Sequence, residues 1–403
     1  MFANVKAALQ AELQGIRDAG LYKEERIITS HQGPVIDTTA QHEVLNFCAN
    51  NYLGLSSHPD VTEAAIEAIR THGYGLSSVR FICGTQDIHK KLEKSIADFL
   101  GTEDTILYAA AFDANGGLFE PLLGAEDAII SDELNHASII DGIRLAAVIK
   151  KGLHKTVYRH GDLASLRAKL QEARANPEVT GTAWVVTDGV FSMEGDLGDL
   201  PGIRALCDEF GAKLVVDDSH GTGVMGRTGR GTHEHWGMAA SAVDYFTGTL
   251  GKALGGGAGG YICGSRAATD LLVQRGRPTL FSNALPCTIA CSADKAIEVL
   301  MQEPERVERL RRNVAAVRQG IAEVGFEVLK SPTAICPIIV HDTAKAIAMS
   351  RRLLELGVFV IGFGYPVVPE GHARLRVQVS AAHGPEHIDA LLKGLAQLKR
   401  EFA

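Results

Sequence analysis

The sequence predicts an α/β protein: a mainly parallel central sheet with helices on both faces, followed by a smaller α+β unit. Three observations predict it. From about residue 60 to 290, short apolar runs alternate with helix-like segments, the pattern of crossover connections. The runs are rich in Val, Ile and Tyr and end on Gly or Asp, as buried strands do. Of the 403 residues, 46% are hydrophobic and 22% charged, which suffices for a large core.

In chain order, the N-terminus sets Phe2, Val5, Leu9, Leu13 and Ile16 on one helical stripe among polar residues, unlike the unbroken apolar stretch of a signal peptide. Helices are expected at 86–100, with Ile88, Leu92, Ile96 and Phe99 on one side, and at 138–151, 162–175 and 199–210. Strands are expected in "TILYAA", "DAIIS", "AWVVTDG", "KLVVDD", "DYFTGTL" and "GGYICG". A helical tract over 286–324 should break near Pro304, because proline removes a helix hydrogen bond. Beyond it "AICPIIVHD", "VFVIGF" and "ARLRVQVS" read as strands and 384–402 as a closing helix. The expected division is an N-terminal helix and arm over 1–55, a large domain over 56–290 and a small C-terminal domain over 291–403.

Composition excludes several classes. Forty Lys and Arg against 48 Asp and Glu give a formal charge of -8 with no block of five like charges, which disfavours a nucleic-acid surface. No run is long enough to span a membrane. Seven scattered cysteines, an odd number, read as reduced thiols of a cytoplasmic protein and form no paired metal-ligand motif; no metal is expected.

Chemistry concentrates around "GTLGKALGGGAGGY", where Lys252 stands among seven glycines. Gly255, Gly257 and Gly260 spell G-x-G-x-x-G, but they run into a strand rather than opening a helix, so a dinucleotide site does not follow. The spacing of a P-loop is absent as well. An amine nucleophile with room for a flat cofactor fits better, with Thr249 able to hydrogen-bond a phosphate. At the end of an apolar strand "VVDDSHGTG" offers Asp217, Asp218 and His220 where open α/β sheets bind ligands. Side chains alternate along a strand, so only one of the two aspartates can face a ring nitrogen. The strand-loop-helix unit "ILYAAAFDANGG" offers backbone amides to an anion, and His136 in "SDELNHAS" can stack on a ring or cap the next helix.

Taken in order, "NFCANNYLGL", "VRFICGTQ", "LNHASIIDG", "TDGVFSMEGD", "VVDDSHGTG", "TGTLGKALGG", "LFSNALP" and "FGYPVVPEGHARLRVQVSAAH" resemble the α-oxoamine synthases, pyridoxal-phosphate enzymes of fold type I. The resemblance spans nearly the whole chain. It implies that 56–290 binds pyridoxal 5'-phosphate, that Lys252 bonds the cofactor aldehyde, that Asp217 pairs with the ring nitrogen, that His220 meets the ring hydroxyl and that His136 stacks on the ring. It further implies phosphate contacts from the Ala111 and Phe112 amides and Thr249, with Ser192 beside the cofactor and Ser282 and Asn283 reaching over from the second subunit of a homodimer. Arg376 and Asn50 would bind a substrate carboxylate. Arg374, Arg376, Gln378 and Ser380 share one strand face; Arg376 fits a bidentate carboxylate contact and Arg374 reads as a solvated charge.

Within the family, "SSVRFICGTQ" and "YPVVPEGHAR" most resemble the members with glycine C-acetyltransferase activity; that resemblance implies joining glycine and acetyl-CoA to 2-amino-3-ketobutyrate and CoA, or cleaving that keto acid in threonine catabolism, and it leaves open a functional coupling to threonine dehydrogenase. The alternative is a member that takes a longer acyl-CoA or another amino acid. A cofactor-free scaffold is disfavoured by the joint presence of Lys252, Asp217, His220 and Arg376.

Overall fold

The computed structural model describes residues 2–19, 21–22, 24–365 and 367–402, with side chains from residue 5 onward, so the expected place of the Phe2 side chain lies outside the described residues. Seven strands form the main sheet: β1 (Asp104–Tyr108), β2 (Ala128–Asp132), β3 (His154–Tyr158), β4 (Ala183–Asp188), β5 (Lys213–Asp217), β6 (Tyr245–Thr249) and β7 (Gly260–Gly264). Their order is β1-β7-β6-β5-β4-β2-β3. All run parallel except β7, which is antiparallel to β1 and β6.

Six of these strands are the ones expected; β3, "HKTVY", was not. It lies at the sheet edge with its first four residues partly or fully exposed, so it carries no apolar run. The interior strand β4 is buried at every position, as helices on both faces require. The four helices expected between strands are observed at Asp87–Leu100, Ala137–Ile149, Leu163–Ala175 and Leu200–Phe210.

Parallel direction has one functional consequence. Asp132, Asp188, Asp217 and Thr249 are the last residues of β2, β4, β5 and β6, so they share one edge of the sheet. Asp188 and Asp217 are direct register partners across β4 and β5. Lys252 follows β6 by three residues.

The predicted helical tract does break at proline, into Cys287–Gln302 and Glu305–Val324 with Pro304 between them. The first helix runs unbroken across the expected 290/291 boundary and packs on the helices Pro59–His72 and Asp87–Leu100. A second sheet holds β8 (Ile335–His341), β9 (Ile361–Phe363) and β10 (Ala373–Gln378) in the order β8-β10-β9, all antiparallel. The expected strand "VFVIGF" is divided: Val358–Phe359 leaves that sheet and pairs with Val44–Asn46, tying the N-terminal arm to the C-terminal unit. The stripe Val5, Leu9, Leu13 and Ile16 does lie on one helix, Phe2–Asp18, and is exposed. Four cysteines are buried and two half-buried; Cys83 is exposed, and all seven are free thiols.

Close approach of β7 to the start of the helix Ala111–Leu122 demands glycine at one point. A Cβ on Gly260 would lie 2.4 Å from the Ala111 Cα and 2.6 Å from its amide nitrogen. Gly260→Ala should therefore cost about 1–3 kcal/mol of stability through overpacking, seen as a lower melting temperature.

Candidate active site

At the carboxyl edge of the sheet lies a cavity of about 230 Å³, lined by Ala111, Phe112, Asn115, His136, Ser138, Asp188, Val190, Ser192, Asp217, Ser219, His220, Thr249 and Lys252. Eight of the expected site residues meet there: Ala111, Phe112, His136, Ser192, Asp217, His220, Thr249 and Lys252. Ser282 and Asn283 do not line it. Asn283 pairs with Val79 and the neighbouring Ala284 amide donates to Ser78, so within one chain this segment lies along another stretch.

Alternation along β5 separates the two aspartates. Asp217 faces the cavity, with Asn115 Nδ2 donating to its Oδ2 at 2.6 Å and the Ser219 amide to its Oδ1 at 2.9 Å. Those two donors hold the carboxylate in one orientation. Asp218 instead accepts from the Thr232 amide at 3.0 Å and the Thr232 hydroxyl at 2.8 Å, which anchors the following loop. Burial pushes its carboxyl up to about 6. Asp188, 4% exposed, has one carboxyl oxygen without a partner. Burial, with the Asp217 charge adding, raises its proton affinity well above the usual carboxylate range.

Lys252 Nζ lies 3.0 Å from His220 Nε2, and His220 Nδ1 lies 2.8 Å from the Tyr52 hydroxyl. Tyr52 donates to Asn50 Oδ1 at 3.2 Å, and Arg376 Nη2 donates to the same oxygen at 3.0 Å. The expected carboxylate-binding pair is thus joined to the lysine through Tyr52 and His220. Burial pushes the Lys252 amine down to about 8, against the pull of Asp217 and Asp188, while the Arg376 charge lowers it further. Burial likewise holds His220 well below its ordinary value and lowers His136. His136 caps the helix Ala137–Ile149 by accepting from the Ser138 amide at 3.3 Å, and it stays open to solvent at the cavity mouth.

The reading of Arg374 as a solvated charge is overturned. Its side chain is 3% exposed and donates to the Met193 carbonyl at 2.8 Å and to Glu194 Oε1 at 3.0 Å. A guanidinium is tolerated there because carboxylate and carbonyl partners replace its water. Met193 Sδ meets Arg376 at 3.8 Å, so the loop that carries Ser192 touches both arginines. The loop's far end is held by His160, which lies 3.0 Å from Asp132 Oδ1 and 2.8 Å from Asp196 Oδ2. Burial opposes charge on His160, but the two carboxylates outweigh it and push the imidazole up to about 10.

Sequence reasoning did not single out Tyr52, Asn115, Asp188, Arg374 as a clamp, or His160. Tyr52 and Asp188 stand inside motifs quoted for their neighbours, so the signal was present without a role attached. The partners of Arg374 and His160 also stand inside quoted motifs, but they are remote from those two residues in sequence, so nothing indicated the pairing.

These residues fit the expected pyridoxal phosphate. A reactive amine and an oriented carboxylate share the cavity, and no side chain caps the start of the helix Ala111–Leu122, whose first residues line the cavity together with Thr249 and leave amides free for an anion. Residues 42–395 match the family model described as aminotransferase class I and II. The chain belongs to that family. It is 49% identical over 99% of its length to the bovine (Bos taurus) protein named 2-amino-3-ketobutyrate coenzyme A ligase, mitochondrial, covering 93% of it. It is 47% identical over 98% of its length to the 2-amino-3-ketobutyrate coenzyme A ligase of Escherichia coli strain K12, covering 97% of it. Among solved structures, serine palmitoyltransferase from S. paucimobilis with bound PLP-myriocin aldimine matches at a TM-score of 0.89 and 28% identity, over 98% of this chain and 97% of that one.

Two pH effects are expected. Neutral amine is the form that attacks an aldehyde, so cofactor association at Lys252 should quicken as pH rises and level off above about 8, as stopped-flow absorbance would record. The stability that His160 gains from its carboxylates is fully present below its ordinary 6.5 and lost as pH rises through about 10. The difference in denaturation midpoint between the wild type and His160→Gln should shrink across that window.

Proposed function

We propose that this chain is a pyridoxal-phosphate-dependent acyl-CoA:glycine C-acetyltransferase, interconverting 2-amino-3-ketobutyrate and CoA with glycine and acetyl-CoA. The observation that carries the reading is one cavity holding Lys252, Asp217 and His220, linked by hydrogen bonds to Asn50 and Arg376. It is also the reaction indicated by the names of relatives identical at nearly half their positions.

When bound, pyridoxal phosphate supplies the electron sink that lets glycine lose its α-proton. Lys252 would hold the cofactor covalently, Asp217 would pair with its ring nitrogen, and the first amides of the helix Ala111–Leu122 with Thr249 would take the phosphate. Arg376 forks the substrate carboxylate and Asn50 steadies it, which fixes where the α-carbon lies. The Lys252 amine, once free, accepts the α-proton at Nζ; its proton affinity, brought down to about 8, suits a base working near neutral pH. The glycines around it let the side chain move without obstruction. His136, at the cavity mouth, is placed to donate to oxygen as charge develops on the acyl carbonyl.

Part of the same proposal is a homodimer whose sites take Ser282 and Asn283 from the second subunit. The exposure of Phe81, Ile82 and Phe281 around that segment supports it. Supply of the keto acid by threonine dehydrogenase is also included, supported by the lability of a β-keto acid. A cytoplasmic location is supported by seven free thiols. Among the described residues no helix is long and apolar enough to cross a membrane.

The deciding assay offers glycine, alanine and serine with acetyl, succinyl and palmitoyl thioesters. Glycine with acetyl-CoA should give the highest kcat/KM; a preference for a longer thioester or another amino acid would favour the alternative. Lys252→Ala should abolish turnover together with the visible absorbance of the holoenzyme. Arg376→Lys, which loses the planar fork, should raise the KM for glycine by about tenfold or more, read from initial rates.

A further inference from the structure

In the cavity wall a further set of hydrogen bonds joins Asp217 to His136, and its direction is fixed at both ends. At one end the Asp217 carboxylate accepts from the Asn115 amide nitrogen at 2.6 Å; reversing that amide would set its oxygen against a carboxylate. The same nitrogen carries a second proton, which points to Ser138 Oγ at 2.9 Å. Ser138 is 1% exposed; having accepted from Asn115, its hydroxyl turns its own proton to His136 Nδ1, 2.7 Å away. At the other end lies a backbone amide, which can only donate. The Ser138 N–H, in the first turn of the helix Ala137–Ile149 and without an acceptor inside it, points to the same Nδ1 at 3.3 Å. Two donors converge on Nδ1, so the lone pair is there and the single proton of a neutral imidazole sits on Nε2. The other tautomer would turn an N–H against both and leave two donors of a buried serine without acceptors.

We propose that Ser138, its hydroxyl directed by Asn115, is a further positioning residue for the reaction: it holds His136 as the Nε2–H tautomer, so that the imidazole at the cavity mouth offers a hydrogen bond to substrate oxygen. This rests on the functional reading given above. In that reading negative charge builds on the acyl carbonyl oxygen as the new carbon–carbon bond forms, and the oxygen then meets an N–H rather than a lone pair. The same tautomer denies His136 the role of base through Nε2, which leaves the α-proton to Lys252. Burial lowers the proton affinity of His136, against the pull of Asp217 and with the Lys252 charge adding, which keeps the ring neutral. A bound cofactor leaves the set intact: a carboxylate has lone pairs enough to meet Asn115, the Ser219 amide and a ring N–H together.

The test is nitrogen NMR of the holoenzyme labelled with ¹⁵N-histidine, the His136 signals being identified by their loss in His136→Gln, joined to steady-state kinetics of Ser138→Ala. In the wild type, His136 should show a bare Nδ1 and a protonated Nε2. Ser138→Ala keeps the backbone amide but removes the hydroxyl donor, so the averaged Nδ1 signal should move toward the protonated form. Its kcat should fall about three- to tenfold, the scale of one net hydrogen bond, while the KM for glycine stays within about twofold because Arg376 and Asn50 are untouched. An active wild type with Nδ1–H on His136, or a Ser138→Ala protein in which either the tautomer or kcat is unchanged, overturns the inference. If Ser138→Ala does not fold, the wild-type spectrum alone decides. A wild type that binds the cofactor yet does not act on glycine overturns the functional reading instead, and the His136 tautomer remains measurable in it.

Discussion

An amine that must act as nucleophile and base near neutral pH cannot remain an ordinary solvated lysine. Its charge has to be made costly by burial yet balanced by carboxylates, and the placement of Lys252 just beyond β6 meets both demands. Burial brings the amine down to about 8, while Asp217 and Asp188 keep it from falling further. The parallel sheet makes this possible, since β4 and β5 end together and deliver both carboxylates to one edge in direct register.

The rest of the site serves that arrangement. Asp217 is held by two donors from separate segments, Asn115 and the Ser219 amide. The loop with Ser192 is gripped at one end by Arg374 from the small sheet and at the other by His160 from beyond β3. Both grips use buried or half-buried charge. Such pairs contribute little net stability after desolvation, but they tolerate few alternative geometries. Rigidity at the cavity follows from charge that has nowhere else to go.

The two structural units meet at the substrate end of the site. Asn50 belongs to the N-terminal arm, which pairs through Val44–Asn46 with Val358–Phe359, while Arg376 lies on β10. Arg374 and Arg376 share a strand face, yet one clamps a loop and the other faces Asn50. Residues on the same face of one strand can thus take different work, depending on what the opposite unit brings against them.

By itself the sequence determined the α/β class, six of the seven strands of the main sheet and the helix break at Pro304, and through the family resemblance it named eight residues that line one cavity. The strands and the break are local: runs and breakers are set by a few neighbouring side chains. The edge strand β3 escaped because His154, Lys155 and Thr156 interrupt the apolar pattern on which strand reading depends. Tertiary structure alone decided that Asp218 turns away to anchor Thr232, that Arg374 is buried rather than solvated, and that Tyr52 joins the carboxylate subsite to Lys252. Each is a contact between segments more than a hundred residues apart, or a choice of face that only packing can make. Burial and partner, which set charge and proton affinity, are properties of the assembled fold.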